Sequence, residues 1–298
     1  MTQPHHDPVL YAQSFLTDRD HRLLDWLYDH QVLSTVQITA ALFNRQDSAQ
    51  ERLLRLYRLR LLERFRSARL ASPGWHHVLD QAGVELVAAL RGDAVPRRVD
   101  ITAQRRRIAA SANLPHLLGV NQFFVDLIAY ARRRPDDALL RWWSERQCAA
   151  PLRFGSVSMH RVRADGHGIY QEGDRRVAFF LELDRATESV PTLVEKVQRY
   201  EQLVTEGGPA WPVLFSLPDR TREQHLHQAL GRQPRAVPVA TVARDRLLDG
   251  TGVADAVWLP TGAAGAPEPP RRLIDLGRLG DPADDSALLR LDRRPLAQ

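Results

Sequence analysis

Two acids spaced to share one face of a strand are the first residues here whose types could do chemistry. Glu182 and Asp184 close the run VAFFLELD (177–184), which is otherwise apolar and rich in β-formers. Such a run reads as a strand buried on both faces in the middle of a sheet. Strand side chains alternate, so the two carboxylates point the same way. Buried together they repel each other and are costly to desolvate. A divalent cation, an arginine or a lysine must offset them, or one must be protonated. Lys196 follows, the only lysine among 41 lysines and arginines. It flanks a helical repeat of Leu193, Val197, Tyr200 and Val204 that starts near Pro191 and stops at Gly207-Gly208. Arg185 could instead pair with the acids and make the cluster purely structural.

The elements that must position these groups run from about residue 108. The pattern predicts a helix over 114–132, a strand over 139–148 ending near Glu145, and a strand over 161–169 carrying Asp165. Glu172-Gly173-Asp174 reads as the turn into the central strand. After the helix come a strand over 211–217, a helix capped by Asp219, and short strands over 237–242 and 256–259. Sixteen residues separate Asp165 from Glu182, a usual distance for adjacent antiparallel strands. Residues 262–298, rich in Gly, Pro, Arg and Asp, are expected to be largely disordered.

Ahead of this lies a different pattern. Residues 1–16 read as a flexible leader. Residues 17–91 read as three short helices, a hairpin around Ser72-Pro73-Gly74 (65–70 and 75–79) and a further helix. That is the order of a winged helix-turn-helix, whose third helix enters the major groove of DNA. In the third helix, read over 49–65, Leu53, Leu56, Leu59 and Leu62 bury one side. Arg52, Arg55 and Arg58 spread over the other, with Gln50 nearby. Arginine suits both guanine edges and phosphates. An ordinary solvated face, or a winged helix used for dimerisation, is the competing reading. Residues 92–107 form a basic, polar linker, and 108–261 the second domain.

Composition narrows the field. A net charge of +5 and a pI of about 9.8 lean towards a polyanion, with 36 acids interspersed. Cys148 is the lone cysteine, which excludes internal disulfides and cysteine-based zinc sites. No apolar run approaches the roughly 20 residues of a membrane span, and a cytoplasmic location is expected. There is no Walker A loop or dinucleotide fingerprint, so ATP-driven functions are not expected. Gly168-Ile169-Tyr170 is half of a GIY-YIG signature without its second half. His225-Leu226-His227 has a relaxase's lettering, but a helix would turn the two rings apart. His5-His6 and His76-His77 read as exposed histidines.

Two resemblances follow from these residues. Asp165 on the second strand with Glu182-x-Asp184 on the third resembles the restriction-endonuclease-like PD-(D/E)xK nuclease fold. The chain also resembles the replication-relaxation family, through STVQITAALFNRQDSAQERLLRLYRLRLLERF, LPHLLGVNQFFVDL and FFLELDRATESVPTLVEKVQRYEQL, over about residues 17–260. The resemblances imply an α/β (α+β) chain, an N-terminal winged helix domain followed by a restriction-endonuclease-like mixed-sheet domain. They also imply a role in plasmid or mobile-element replication or DNA relaxation. The partner would be double-stranded DNA, beside a homodimer mate or a replication or transfer protein. A nuclease of this kind needs Mg²⁺, with Mn²⁺ as substitute, on oxygen ligands. Asp165 and Glu182 would be those ligands, with Asp184 a third and Glu145 a further candidate. The pattern's lysine is replaced by Asp184, and Lys196 could reach back to the same place. Without it, the domain would be a degenerate nuclease fold in a non-catalytic regulator or replication accessory factor.

Overall fold

The computed structural model describes residues 15–68, 70, 74–149, 153, 154, 157, 158, 162–231, 235–247, 251–261 and 269–277. The chain divides into two units, residues 1–125 and 126–298. Most of the expected leader lies outside the described residues.

The first unit opens with α1 (Asp18–His30). Thr17 caps it, its N–H and hydroxyl both donating to Asp20, at 2.7 and 2.6 Å. Strand β1 (Leu33–Ser34) leads into α2 (Thr35–Leu42) through reciprocal bonds between Ser34 and Gln37. Helix α3 (Gln46–Arg58) buries Ala49, Leu53 and Leu56. Its apolar pattern runs on to Phe65, but the helix stops at Arg58. Arg60 turns left-handed at φ 61°, and the Leu61 N–H closes the turn on the Leu56 carbonyl at 3.1 Å. Leu62 thereby enters β2 (Leu62–Phe65), which pairs antiparallel with β3 (His76–Leu79), Leu62 facing Leu79. Strand β3 also pairs with β1, giving the order β1-β3-β2. The expected turn residues 72 and 73 lie outside the described residues.

His76 and His77 are buried, not exposed, because β3 is the central strand. Burial pushes the His77 imidazole down to about 4, and its Nε2 lies 2.9 Å from the Thr35 hydroxyl. Helix α4 (Gln81–Arg91) is capped by Asp80 and ends on left-handed Gly92. Gly83 must be glycine, since a Cβ there would sit 2.1 Å from the Leu61 carbonyl oxygen.

The stretch read as a linker contains α5 (Arg98–Ala110), which buries Ile101 and Ile108. Arg105 is turned inward onto the buried Asp80. The next helix, α6 (Leu114–Ala131), contains the boundary between the units. Its first two thirds, residues 114–125, belong to the first unit. Leu114 packs with Val32, Val78 and Ile108, and the Asn121 amide donates to the Val32 and His30 carbonyls at 2.7 and 3.2 Å.

The second unit is built on a six-stranded mixed sheet. Strand β4 (Asp137–Ser144) carries a bulge between Leu139 and Arg141. It stops earlier than its pattern implied, because the Gln147 side chain caps Ser144 and starts the one-turn α7 (Glu145–Cys148). Strands β5 (Arg153–Phe154) and β6 (Val157–Ser158) form a separate pair. Then come β7 (Gly166–Glu172), β8 (Arg175–Leu183), α8 (Val190–Thr205), β9 (Val213–Leu217), α9 (Arg220–Leu230), β10 (Val239–Ala243) and β11 (Leu259–Pro260). The sheet order is β11-β10-β9-β8-β7-β4. Strands β4, β7 and β8 are antiparallel neighbours, while β8, β9 and β10 run parallel. Both α8 and α9 cover one face, where Leu193, Val197 and Leu226 meet Ala178, Phe180 and Phe215.

Part of the tail expected to be disordered is ordered. Trp258 and Arg271 exchange backbone bonds of 3.1 and 2.7 Å. Helix α10 (Leu273–Leu276) buries Leu273, Ile274 and Leu276. Arg272 holds Glu172 through bonds of 2.8 and 2.7 Å. The other tail residues, 262–268 and 278–298, lie outside the described ones. Among the described residues no helix is long and apolar enough to cross a membrane.

Candidate functional site

Parallel strands β8, β9 and β10 bring their carboxyl ends to one side, the place where open α/β sheets hold ligands. Glu182 sits there, opposite Phe215 in register, and on the same face as Ala178 and Phe180. That face is covered by α8, so Glu182 meets the helix and not solvent. Its side chain is 3% exposed. The Tyr200 hydroxyl donates to Oε1 at 2.6 Å, and Lys196 Nζ lies 3.0 Å from Oε2.

Asp165 lies one residue before β7, not within it. Gly166 pairs with Leu181, which puts Asp165 beside Glu182 across the ladder. Its Oδ2 accepts the Leu183 N–H at 2.7 Å. Burial and the Asp165 charge push the Glu182 carboxyl up to about 7, against the pull of Lys196 and the Tyr200 bond. Burial works to lower Lys196, but Glu182, Glu188 and Asp165 outweigh it and hold the ammonium above its usual range. The structure thus brings Asp165, Glu182 and Lys196 together. The lysine's position between one and two turns into α8, on the residue before Val197, is what carries it back to the strand end.

Asp184 is drawn elsewhere. Its side chain is 1% exposed and accepts from Arg222 Nε at 2.7 Å and from the Ala186 N–H at 3.0 Å. Its own carbonyl accepts from Arg244 at 2.9 Å. The arginine that pairs with Asp184 is therefore Arg222 of α9, not the neighbouring Arg185, which is exposed. Glu145 begins α7 and acts on the Cys148 thiol, which burial first, and then Glu182, Asp165 and Glu145, hold far above its usual value. Among the described residues no group of three or more His, Cys, Asp or Glu side chains is placed to hold a metal ion. Magnesium retains several waters, so a pair of carboxylates such as Asp165 and Glu182 fits its chemistry without a full protein cage.

Sequence reasoning missed Tyr200, Glu188 and Arg222. Tyr200 is a core residue by its place in the helical repeat, but its hydroxyl ends on the buried Glu182 carboxylate. Arg222 carries no signal at all, since 38 residues separate it from Asp184.

In the first unit, Gln50, Arg55 and Arg58 are exposed on α3. Arg52 is not available in the same way. Its guanidinium pairs with the buried Asp20 and donates to the Phe15 carbonyl at 2.9 Å, leaving the side chain 17% exposed. A concavity of about 550 Å³ beside α3 is lined by Asp20, Phe43, Arg52, Arg55 and Arg58. The hairpin adds residues not singled out from sequence. Arg64 lies over the rings of Trp75 and Tyr57, at 4.3 and 4.8 Å, and Arg66 over Trp75 at 4.3 Å. Tyr57 belongs to α3, so this stack adjoins the end of that helix. His225 and His227 both lie on α9, and His227 is turned onto Thr241 at 2.8 Å.

No curated protein and no solved structure matches the chain. The family described as Replication-relaxation matches residues 24–215, a span that holds α3, the hairpin, Asp165, Glu182 and Lys196. That span is more than half of the 298 residues, and the chain belongs to the replication-relaxation family.

Proposed function

We propose that this protein binds double-stranded DNA with its first unit and nicks it at a Mg²⁺-dependent site in its second. The setting would be plasmid or mobile-element replication or DNA relaxation, the role that family membership suggests. The order of helices and hairpin in the first unit supports a winged-helix reading. Helix α3 then enters the major groove, with Gln50, Arg55 and Arg58 towards the bases and phosphates. Arg52 instead braces α3 against α1. Arg64 and Arg66, held flat on Trp75, suit the backbone beside it.

The observation that carries the catalytic half is the 3.0 Å approach of Lys196 to Glu182, beside Asp165. Three antiparallel strands leading into parallel crossovers, with these groups at the strand ends, support a PD-(D/E)xK-like reading with a displaced lysine. Asp165 and Glu182 would hold Mg²⁺, which would lower the pKa of a bound water and polarise the scissile phosphate. Lys196 places a fixed positive charge where negative charge develops in the transition state. Tyr200 fixes the orientation of the Glu182 carboxylate.

Supercoiled plasmid incubated with the protein and Mg²⁺ or Mn²⁺ should yield nicked circles. EDTA, Glu182→Ala and Lys196→Ala should each abolish them. Arg55→Ala with Arg58→Ala should leave thermal stability unchanged and flatten the dependence of log K on log salt by about 2, if each arginine meets one phosphate. A second reading is a non-catalytic clamp or accessory factor. The pairing of Asp184 with Arg222, which leaves two carboxylates and not three, favours it. A duplex gel shift without any nicking would decide for that reading.

A further inference from the structure

We propose that the outer side of Lys196 is a phosphate subsite, and that the Glu188 carboxylate occupies it in the free protein. Lys196 Nζ stands between two carboxylates, Glu182 at 3.0 Å and Glu188 at 2.9 Å. Their side chains are 3% and 40% exposed, and that of Lys196 is 21% exposed. The ammonium therefore faces the interior through Glu182 and solvent through Glu188. An anion approaching from the solvent-exposed Glu188 side would take the place where Glu188 now lies.

The loop that carries Glu188 is held by the same arginine that pairs with Asp184. Arg222 donates to the Glu188 carbonyl at 2.6 Å and to the Asp184 carboxylate at 2.7 Å. Ala186, between them, is left-handed at φ 58°. Asp184 thus has a task in this chain other than the lysine's: it anchors Arg222, which fixes the backbone of Glu188. A phosphodiester oxygen accepts from an ammonium as a carboxylate does, and each carries one negative charge. Exchanging Glu188 for phosphate keeps Lys196 paired and the local charge unchanged. The Glu188 end of the pair is the exposed one, so an anion from solution competes for Lys196 at that end. The assignment rests on DNA being the ligand.

Lys196 is the only lysine in the chain, so acylation by an amine-reactive reagent reports on it directly, with the N-terminal amine as internal reference. The full chain and Glu188→Gln would be labelled in EDTA, with and without a short duplex oligonucleotide. Peptide mass spectrometry reads Lys196, and fluorescence anisotropy reads DNA binding in the same samples. Glu188→Gln should speed acylation of Lys196 several-fold, and the duplex should return it to near the wild-type rate. An unchanged rate in Glu188→Gln overturns the proposal. So does bound duplex that leaves Lys196 of the variant unprotected, although DNA binding itself would stand. Absence of binding by anisotropy would overturn both.

Discussion

Asp184 and Arg222 offer the sharpest test of how the site is built. The Asp184 side chain is 1% exposed and that of Arg222 14%, so the pair is largely out of water. Removing one partner of such a pair typically costs about 3–5 kcal/mol, because the other charge stays buried. Asp184→Asn keeps the shape and the Ala186 bond but leaves Arg222 with the Glu188 carbonyl alone. A loss near the lower end, about 3 kcal/mol, is expected. Arg222→Met leaves a buried carboxylate with a single backbone donor, and the loss should be at least as large. The double variant strands neither charge, so its loss should fall short of the sum by about 2 kcal/mol. Urea unfolding followed by tryptophan fluorescence suits the purpose, because Trp142, Trp143, Trp211 and Trp258 all lie in the second unit. Additivity within about 0.5 kcal/mol would refute the pairing. Unchanged stability in Asp184→Asn together with lost nicking would return Asp184 to the role of metal ligand.

Two further outcomes are expected. Glu182, raised by burial to about 7 from its ordinary 4.5, holds a proton in the folded chain across a window where the unfolded chain has released it. Its contribution to stability is complete below that window and declines as pH rises from about 4.5 through about 7, by at most about 3 kcal/mol. His77, lowered to about 4, works in the opposite sense, so the quantity to measure is the melting difference between wild type and Glu182→Gln at pH 5 and pH 8. Equal differences at the two values would remove Glu182 as a group titrating near neutrality. Ending the chain at residue 261 should destabilise the second unit by more than about 4 kcal/mol, since three buried apolar side chains of α10 leave with it. An unchanged unfolding midpoint would mean that α10 adds nothing.

The local grammar of the chain was legible where one physical signal dominated. The cap at Asp219, the turn at Gly173 and the buried central strand follow from side-chain bonding and periodicity. The return of Lys196 to Glu182 is one of several readings the sequence leaves open, beside a pairing with Arg185, and the 3.0 Å contact is what distinguishes them. The end of α3 was not legible, because Leu59 and Leu62 fit a helix as well as a strand, and Arg60 carries no left-handed signal. Glycine, asparagine or aspartate would have announced that turn. The histidines of β3 looked polar, yet a central strand buries whatever it holds. Arg52 and Arg105 looked like solvent-facing charge, and long-range acids claimed them. Residues 269–277 were masked by their Gly- and Pro-rich neighbours, so three apolar residues in a short run passed unnoticed.

Among the described residues, the two outermost strands of the large sheet end it in different ways. Strand β11 has two residues, and the second, Pro260, has no backbone N–H to offer. Strand β4 has eight, long enough to template another strand, but it is kinked by its bulge and carries Arg141, which is 2% exposed with its guanidinium 4.7 Å from the Trp143 ring. Short length, proline, bulges and inward charges are the devices that keep sheet edges from recruiting strands of other molecules. Replacing Arg141 with leucine would remove one of them. The cost would then show as aggregation during synthesis and refolding, before any loss of the finished fold.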